Sequence, residues 1–176
     1  MSSMANKITF ITGGARSGKS AFAEKIAADI AGKRAYLATA QALDAEMVAR
    51  IEHHRQRRGS AWDTYEEPLA VAELVHKLSG RYDVVLLDCL TLWLSNIMAR
   101  TRSADEIDAH IVRLISAVKA FSGACIIVSN EVGLGIVPDN ALARQFRDVA
   151  GTANQKFALT ANDAYFLASG IPLQIK

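Results

Sequence analysis

Eight consecutive residues, Gly13-Gly14-Ala15-Arg16-Ser17-Gly18-Lys19-Ser20, limit the folds open to this chain more than any other stretch. An apolar, strand-like run from Ile8 to Thr12 precedes them, and a helical stretch from Ser20 to Ala31 follows. A glycine, four residues and then Gly-Lys-Ser, set between strand and helix, is the pattern of a phosphate-binding P-loop. Glycines let the backbone close around a phosphate with its N–H groups, and the helix N-terminus adds positive potential. In such a loop Lys19 reaches the β- and γ-phosphates of a nucleoside triphosphate, and the Ser20 hydroxyl helps hold Mg²⁺. The loop predicts nucleotide binding. What is done with the nucleotide must be read elsewhere in the chain.

The 176 residues are expected to form one domain, with residues 1–6 as a short frayed leader. An apolar fraction of 51% with 22% charged residues reads as globular rather than disordered. The net charge of +2 is too small to imply nucleic acid as a partner. Cys89 and Cys125 each sit in an apolar, strand-like context. They read as reduced, buried thiols in a cytoplasmic protein, not as a disulfide framework. No apolar run approaches the roughly 18 residues that a membrane span requires, and the start of the chain lacks a signal-peptide pattern.

Along the chain, strand-like segments alternate with helical ones. Strands are expected at Lys7–Thr12, Tyr36–Ala38, Tyr82–Asp88, Ala124–Ser129, Ala164–Ala168 and Leu173–Ile175, with a short extended piece between Ala61 and Glu67. Helices are expected at Ser20–Ala31, with Phe22, Ile26 and Ile30 facing the sheet, and at Asp44–Arg58. Further ones are expected at Pro68–Leu78, Leu90–Arg100, Ala104–Phe121 and Asn140–Asn162. Four consecutive aliphatics ending in an acid, Val84 to Asp88, suit a central parallel strand buried on both faces. The alternation predicts an α/β fold: a three-layer, mostly parallel sheet.

Asp88 is the first partner for the loop. A hard cation bridging phosphates needs oxygen ligands, and a carboxylate at a strand end supplies one; capping the next turn is its other possible use. The second constellation is Arg50-Ile51-Glu52-His53-His54-Arg55-Gln56-Arg57-Arg58. Spaced at about 100° per residue, Leu43, Met47 and Ile51 form an apolar stripe with His54 at its edge. His53 falls away from that stripe, on the side of Arg50 and Arg57. A histidine between arginines is poorly suited to Zn²⁺ and well suited to an anionic phosphate, whose phosphorus a neutral imidazole can attack. A basic solvated face is the other reading of this stretch. Glu66, Glu67 and Glu131 could also face a ligand, and Glu131 could equally cap a loop. Arg144, Arg147 and Asp148, spaced by three and four, read as a surface or subunit ion-pair network.

Several blocks, taken in order, resemble a known family over essentially the whole chain. They are Thr12 through Ser20, Tyr36-Leu37-Ala38-Thr39-Ala40, and Arg50 through Arg58 followed by Trp62 and Glu66. Leu87 through Asn96, Asn130 through Pro138, Arg144 through Gly151 with Asn154 and Gln155, and the tail Ser169-Gly170-Ile171-Pro172 complete them. The chain is similar to the bifunctional adenosylcobinamide kinase/adenosylcobinamide-phosphate guanylyltransferases of cobalamin biosynthesis. The resemblance implies a RecA-like P-loop NTPase fold and a propeller-shaped homotrimer. It implies phosphorylation of adenosylcobinamide by ATP or GTP, then transfer of GMP from GTP to the product, giving adenosylcobinamide-GDP and pyrophosphate.

The resemblance also assigns residues. His53, the first of the His-His pair, corresponds to the position that carries the guanylyl group, in accord with the helical placement above. Lys19 is the second catalytic position. Nucleotide contacts are implied at Gly13, Gly14, Ala15, Arg16, Ser17, Gly18, Lys19 and Ser20, at Ala38, Thr39 and Ala40, at His54, Arg55, Gln56 and Arg57, and at Glu66 and Asp88. Ser20 and Asp88 are the expected Mg²⁺ ligands. Asp88 and Glu131 are candidates for the base of the kinase step. A simple small-molecule kinase and a nucleotide-binding switch are the alternatives, distinguished by whether GTP's α-phosphate is transferred.

Overall fold

A computed structural model describes residues 6–41 and 61–176. The helix expected over Asp44–Arg58 lies outside the described residues. Within them the chain runs β1 (Lys7–Gly13), α1 (Lys19–Ala28), β2 (Arg34–Ala38), β3 (Asp63–Glu66), α2 (Val71–Leu78) and β4 (Val84–Asp88). It continues through α3 (Leu90–Met98), α4 (Ala104–Ala120), β5 (Ala124–Val128), α5 (Ala141–Thr160), β6 (Asp163–Ala168) and β7 (Ile171–Gln174). The strands form one sheet in the order β3-β2-β4-β5-β1-β6-β7. Every neighbouring pair is parallel except β6 with β7. The three-layer, mostly parallel architecture is the one expected from the sequence.

The layers follow from side-chain alternation. In β4, Val85 and Leu87 enter the core under α2, α3, α4 and α5, while Val84 and Leu86 enter the core under α1. A strand that must be apolar on both faces has no polar position to spare until its end, and there Asp88 emerges half-buried. The larger core centres on Trp93, Phe121, Phe157 and Phe10, all nearly inaccessible to solvent. Helix α4 begins where Ser103 accepts a hydrogen bond from the Glu106 amide, with Asp105 and Glu106 in its first turn. Helix α5 begins the same way, at Asn140.

Three expectations change in detail. The residues of α1 sealed against the sheet are Ala23 and Ala27, with Phe22, Ile26 and Ile30 only partly covered at its flanks. Small side chains let the helix axis approach the strands, and the large ones fill the margins. Helix α2 starts at Val71 rather than Pro68, and the Glu67 carboxylate accepts the amides of Leu69 and Ala70 in the turn before it. Finally, Ile171 and Pro172 belong to β7 rather than to the turn before it. An edge strand tolerates a proline that a central strand would not.

Phe157 is fully buried and stacks on Phe10 with ring centroids 6.4 Å apart. Phe157→Ala should remove about 3–5 kcal/mol of stability. In urea titration this appears as a lower midpoint with an unchanged slope.

Candidate active site

Strand β1 delivers the loop from the middle of the sheet. Gly13 has φ 149°, and a Cβ there would meet the Leu167 carbonyl oxygen at 2.4 Å, so β6 leaves no room for a side chain. Gly18 (φ 94°) ends the loop as the N-cap of α1, and Arg16 at its exposed apex has φ 57°. A left-handed non-glycine residue is strained, and such strain persists only where surroundings enforce it. Here the enforcement includes the β6–β7 hairpin, whose Gly170 amide donates to the Ser17 carbonyl at 3.0 Å. Ser17 is buried and Ala15 exposed. Lys19 is 7% exposed and folds its ammonium back onto the Gly14 carbonyl at 2.6 Å.

Helix α1 lies over β4 and β5, so its first turn reaches the end of β4 although β5 separates that strand from β1. The Ser20 hydroxyl donates to Asp88 Oδ2 at 2.6 Å, and the Tyr36 hydroxyl donates to the same oxygen at 2.7 Å. A hydroxyl and a carboxylate converging beside a lysine-bearing loop offer hard oxygen donors, which is the chemistry a Mg²⁺ ion accepts. The residues present fit that cation.

The end of β2 is stitched to the end of β4. Thr39 is fully buried, and its hydroxyl donates to the Cys89 carbonyl at 2.8 Å and accepts from the Cys89 amide at 2.9 Å. Asn96 reaches from α3 to the Thr39 and Pro68 carbonyls at 2.9 and 3.1 Å. The Thr39 side chain therefore braces the wall of the site, and the partly exposed Ala38 and Ala40 flank it. Glu66 stands opposite Ala38 in the sheet register and is exposed. His53, His54, Arg55, Gln56 and Arg57 lie outside the described residues.

The two other acids act locally. Glu67 accepts amides in the turn before α2, and Glu131 accepts the Gly133 amide at 2.6 Å, the loop-capping role left open by the sequence. The ion-pair reading of Arg144 changes as well. Its guanidinium donates to the Pro138 and Asp139 carbonyls, 2.9 and 2.6 Å away, and closes the loop before α5. Among the described residues neither Arg144 nor Arg147 pairs with Asp148.

Sequence reasoning missed a buried polar cluster behind the loop. Ser129, at the end of β5, donates to Asn154 of α5 at 2.6 Å and lies 3.2 Å from Thr91 of α3. Thr91 accepts the Asn130 amide at 2.6 Å, and Asn154 returns a hydrogen bond to the Asn130 carbonyl at 3.1 Å. Satisfied groups of this kind specify one arrangement of the elements they join. The signal was present in the sequence as polar residues within otherwise apolar periodicity.

The fold is of the RecA/KaiC type. It is similar to a KaiC-like protein, PH0186, of Pyrococcus horikoshii OT3, with TM-score 0.51, 11% identity, and coverage of 92% of this chain and 71% of that one. It is also similar to the RadB recombinase, with TM-score 0.53, 14% identity, and coverage of 93% and 74%. Sequence comparison is more specific. The family model for cobinamide kinase / cobinamide phosphate guanyltransferase matches residues 9–175. The chain is 43% identical over 178 residues to the bifunctional adenosylcobalamin biosynthesis protein CobU of Escherichia coli, covering 94% of this chain and 98% of that protein. It is 42% identical over 166 residues to the corresponding protein CobP of Pseudomonas aeruginosa, covering 94% and 95%. The chain belongs to the cobinamide kinase / cobinamide phosphate guanyltransferase family and is a transferase.

Cys89, next to Asp88, is buried, and loss of solvation followed by the Asp88 charge pushes its thiol up to about 11. Burial pushes Cys125 up to about 12. In the unfolded chain thiols ionise near ~8.5, so above that pH the unfolded state sheds protons that the folded state keeps. The contribution of these thiols to stability should therefore be constant below about pH 8.5 and be lost as pH rises toward 11. Urea midpoints taken across that range check the sign. Native protein should also leave both thiols unreactive to an aromatic disulfide reagent at pH 8, with both reacting on unfolding.

Proposed function

We propose that this chain phosphorylates adenosylcobinamide with ATP or GTP and then transfers GMP from GTP to the product through a guanylyl-histidine at His53. The observation that carries the reading is the family match over residues 9–175. The Ser20–Asp88 contact at 2.6 Å beside the Lys19 loop supports it, being the arrangement a nucleoside triphosphate and its cation require. The nucleotide contacts are assigned to the loop from Gly13 to Ser20, to Ala38, Thr39 and Ala40, to His54, Arg55, Gln56 and Arg57, and to Glu66 and Asp88. The acting form is a homotrimer in the cytoplasm. Among the described residues no helix is long and apolar enough to cross a membrane, consistent with that assignment.

In the kinase step the hydroxyl of the aminopropanol arm attacks the γ-phosphorus, the bond to the β-bridging oxygen breaks, and the nucleoside diphosphate leaves. The loop amides and Lys19 hold the phosphates in line and offset the charge that develops on them. Ser20 and Asp88 would hold Mg²⁺, which would supply further charge neutralisation. Of the two candidates for the base of this step, Glu131 accepts the Gly133 amide and Asp88 accepts two hydroxyls at Oδ2. The hydroxyl proton can leave late in a loose phosphoryl transfer, which lessens the demand for a strong base.

In the second step the neutral imidazole of His53 attacks the α-phosphorus as pyrophosphate leaves. A phosphate oxygen of adenosylcobinamide phosphate then forms the new P–O bond and the P–N bond to His53 breaks. Arg50 and Arg57 flank His53 in the sequence and offset the charge on the transferring group. Two displacements replace one encounter of two bulky anions.

GTP labelled at the α-phosphate should leave acid-labile, alkali-stable label on the protein and none on His53→Asn; label retained by that variant overturns the assignment. Lys19→Ala should lower turnover in both steps by a factor of about 10² or more, on the scale of losing one transition-state charge donor. Single-turnover assays with adenosylcobinamide and each nucleotide read the two steps separately. Unchanged turnover would refute the role given to Lys19.

A further inference from the structure

We propose that Tyr36 is a positioning residue for the carboxylate that serves the nucleotide-bound cation. Together with Ser20 it saturates Oδ2 of Asp88 and leaves Oδ1 as the oxygen available to the metal. The inference rests on the nucleotide and Mg²⁺ reading given above, and it is carried by the geometry at the ends of β2 and β4.

The convergence follows from strand register. Tyr36 pairs with Leu86 and Ala38 pairs with Asp88. Residues two apart on a strand share a face, so Tyr36 and Asp88 are diagonal neighbours on one side of the sheet, within reach of a long side chain. That side is the one α1 covers, since Tyr36 and Leu86 belong to the core with Ala23 and Ala27. Ser20 therefore arrives at Asp88 from the helix while Tyr36 arrives from the neighbouring strand. Their hydroxyls lie 2.6 and 2.7 Å from the same oxygen.

A carboxylate oxygen accepts about two hydrogen bonds in its plane, so these two donors occupy Oδ2. Among the described residues, Oδ1 of Asp88 accepts no hydrogen bond. The bookkeeping of protons then assigns each group. The Ser20 hydroxyl has one proton, directed at Asp88, so it meets a cation with its lone pairs. Charge-assisted hydrogen bonds from two directions stop the short Asp88 side chain from rotating. The Tyr36 ring is itself 4% exposed and lies edge-on to Trp62, with centroids 5.9 Å apart and planes at 90°. Packing thus holds the phenol, the phenol holds the carboxylate, and the carboxylate presents one oxygen.

Tyr36→Phe removes the hydroxyl and keeps the ring against Trp62, so it separates positioning from packing. Mn²⁺ is the probe, read by the electron paramagnetic resonance signal of the free ion in the presence of a β,γ-imido analogue of GTP. The variant should bind Mn²⁺ about 3- to 10-fold more weakly, while its affinity for the same analogue in chelator stays within 2-fold of wild type, the range expected for one hydrogen bond to a charged group. The Mg²⁺ concentration giving half-maximal turnover should rise by the same factor, with kcat at saturating Mg²⁺ little changed. Equal Mn²⁺ affinity in the two proteins overturns the proposal. So does a matching loss of metal-free nucleotide affinity, which would make Tyr36 part of the nucleotide pocket itself. A wild-type protein that binds no Mn²⁺ with the analogue overturns the nucleotide reading as well, and is distinguished by occurring before any variant is made. Should Tyr36→Phe unfold, Trp62→Leu provides the second measurement: it leaves the phenol in place but loosens it, and Mn²⁺ affinity should again fall while chelator-phase affinity holds. No change in that variant overturns the chain of support from Trp62.

Discussion

The hydrogen bond from Ser20 to Asp88 joins the two parts of the molecule on which nucleotide chemistry depends. One end belongs to the loop and first turn of α1, the other to the end of β4, and β5 intervenes between β1 and β4. Only a helix lying across the sheet can close that gap. The small residues Ala23 and Ala27 on its buried side set how closely it lies. A bulkier residue at either position would lift the helix off the strands and draw the hydroxyl away from the carboxylate. The packing of α1 is therefore part of the site, although Ala23 and Ala27 are not themselves assigned to the nucleotide.

The back of the site is held by satisfied polar groups rather than by apolar packing alone. Thr39 is fully buried and bonds both backbone groups of Cys89, while Ser129 and Asn154 connect the end of β5 to α5. Burying hydroxyls and amides costs free energy unless each finds a partner. Here the partners lie on different elements, so the geometry of the strand ends is fixed by directional bonds. Apolar contacts would allow the strands to slide by fractions of an ångström. The directional bonds do not.

Much of this was legible in the sequence, and the limits have physical causes. The loop, Asp88 and the order of strands and helices could be read because each is a local pattern: glycine spacing, a terminal acid after four aliphatics, and a change of hydrophobic period. Element ends were less legible. Helix α2 begins three residues later than Pro68 predicts, and Glu67 accepts two amides in the turn before it, a local arrangement that the residue pattern does not distinguish from a first helical turn. Glu131 could be read as ligand or cap with equal reason, since the sequence does not show that the Gly133 amide stands 2.6 Å from its carboxylate. The role of Tyr36 was invisible for a different reason: it depends on register between β2 and β4, and a slip of one residue would have turned its hydroxyl to the opposite face.

The comparisons divide along the same line. Recombinase and KaiC-like structures share this fold at 11–14% identity, so the fold survives almost complete replacement of the side chains. The phosphate contacts proposed for this chain come mainly from backbone amides, a helix terminus and a lysine, none of which distinguishes one acceptor from another. Whatever distinguishes this family must lie in side chains at the strand ends and in segments that follow them. Tyr36 and Thr39 stand there, and the relatives at 42–43% identity cover 94% of this chain. In the reading proposed above, one loop serves both transfers, and the residues around it decide which phosphorus meets which nucleophile.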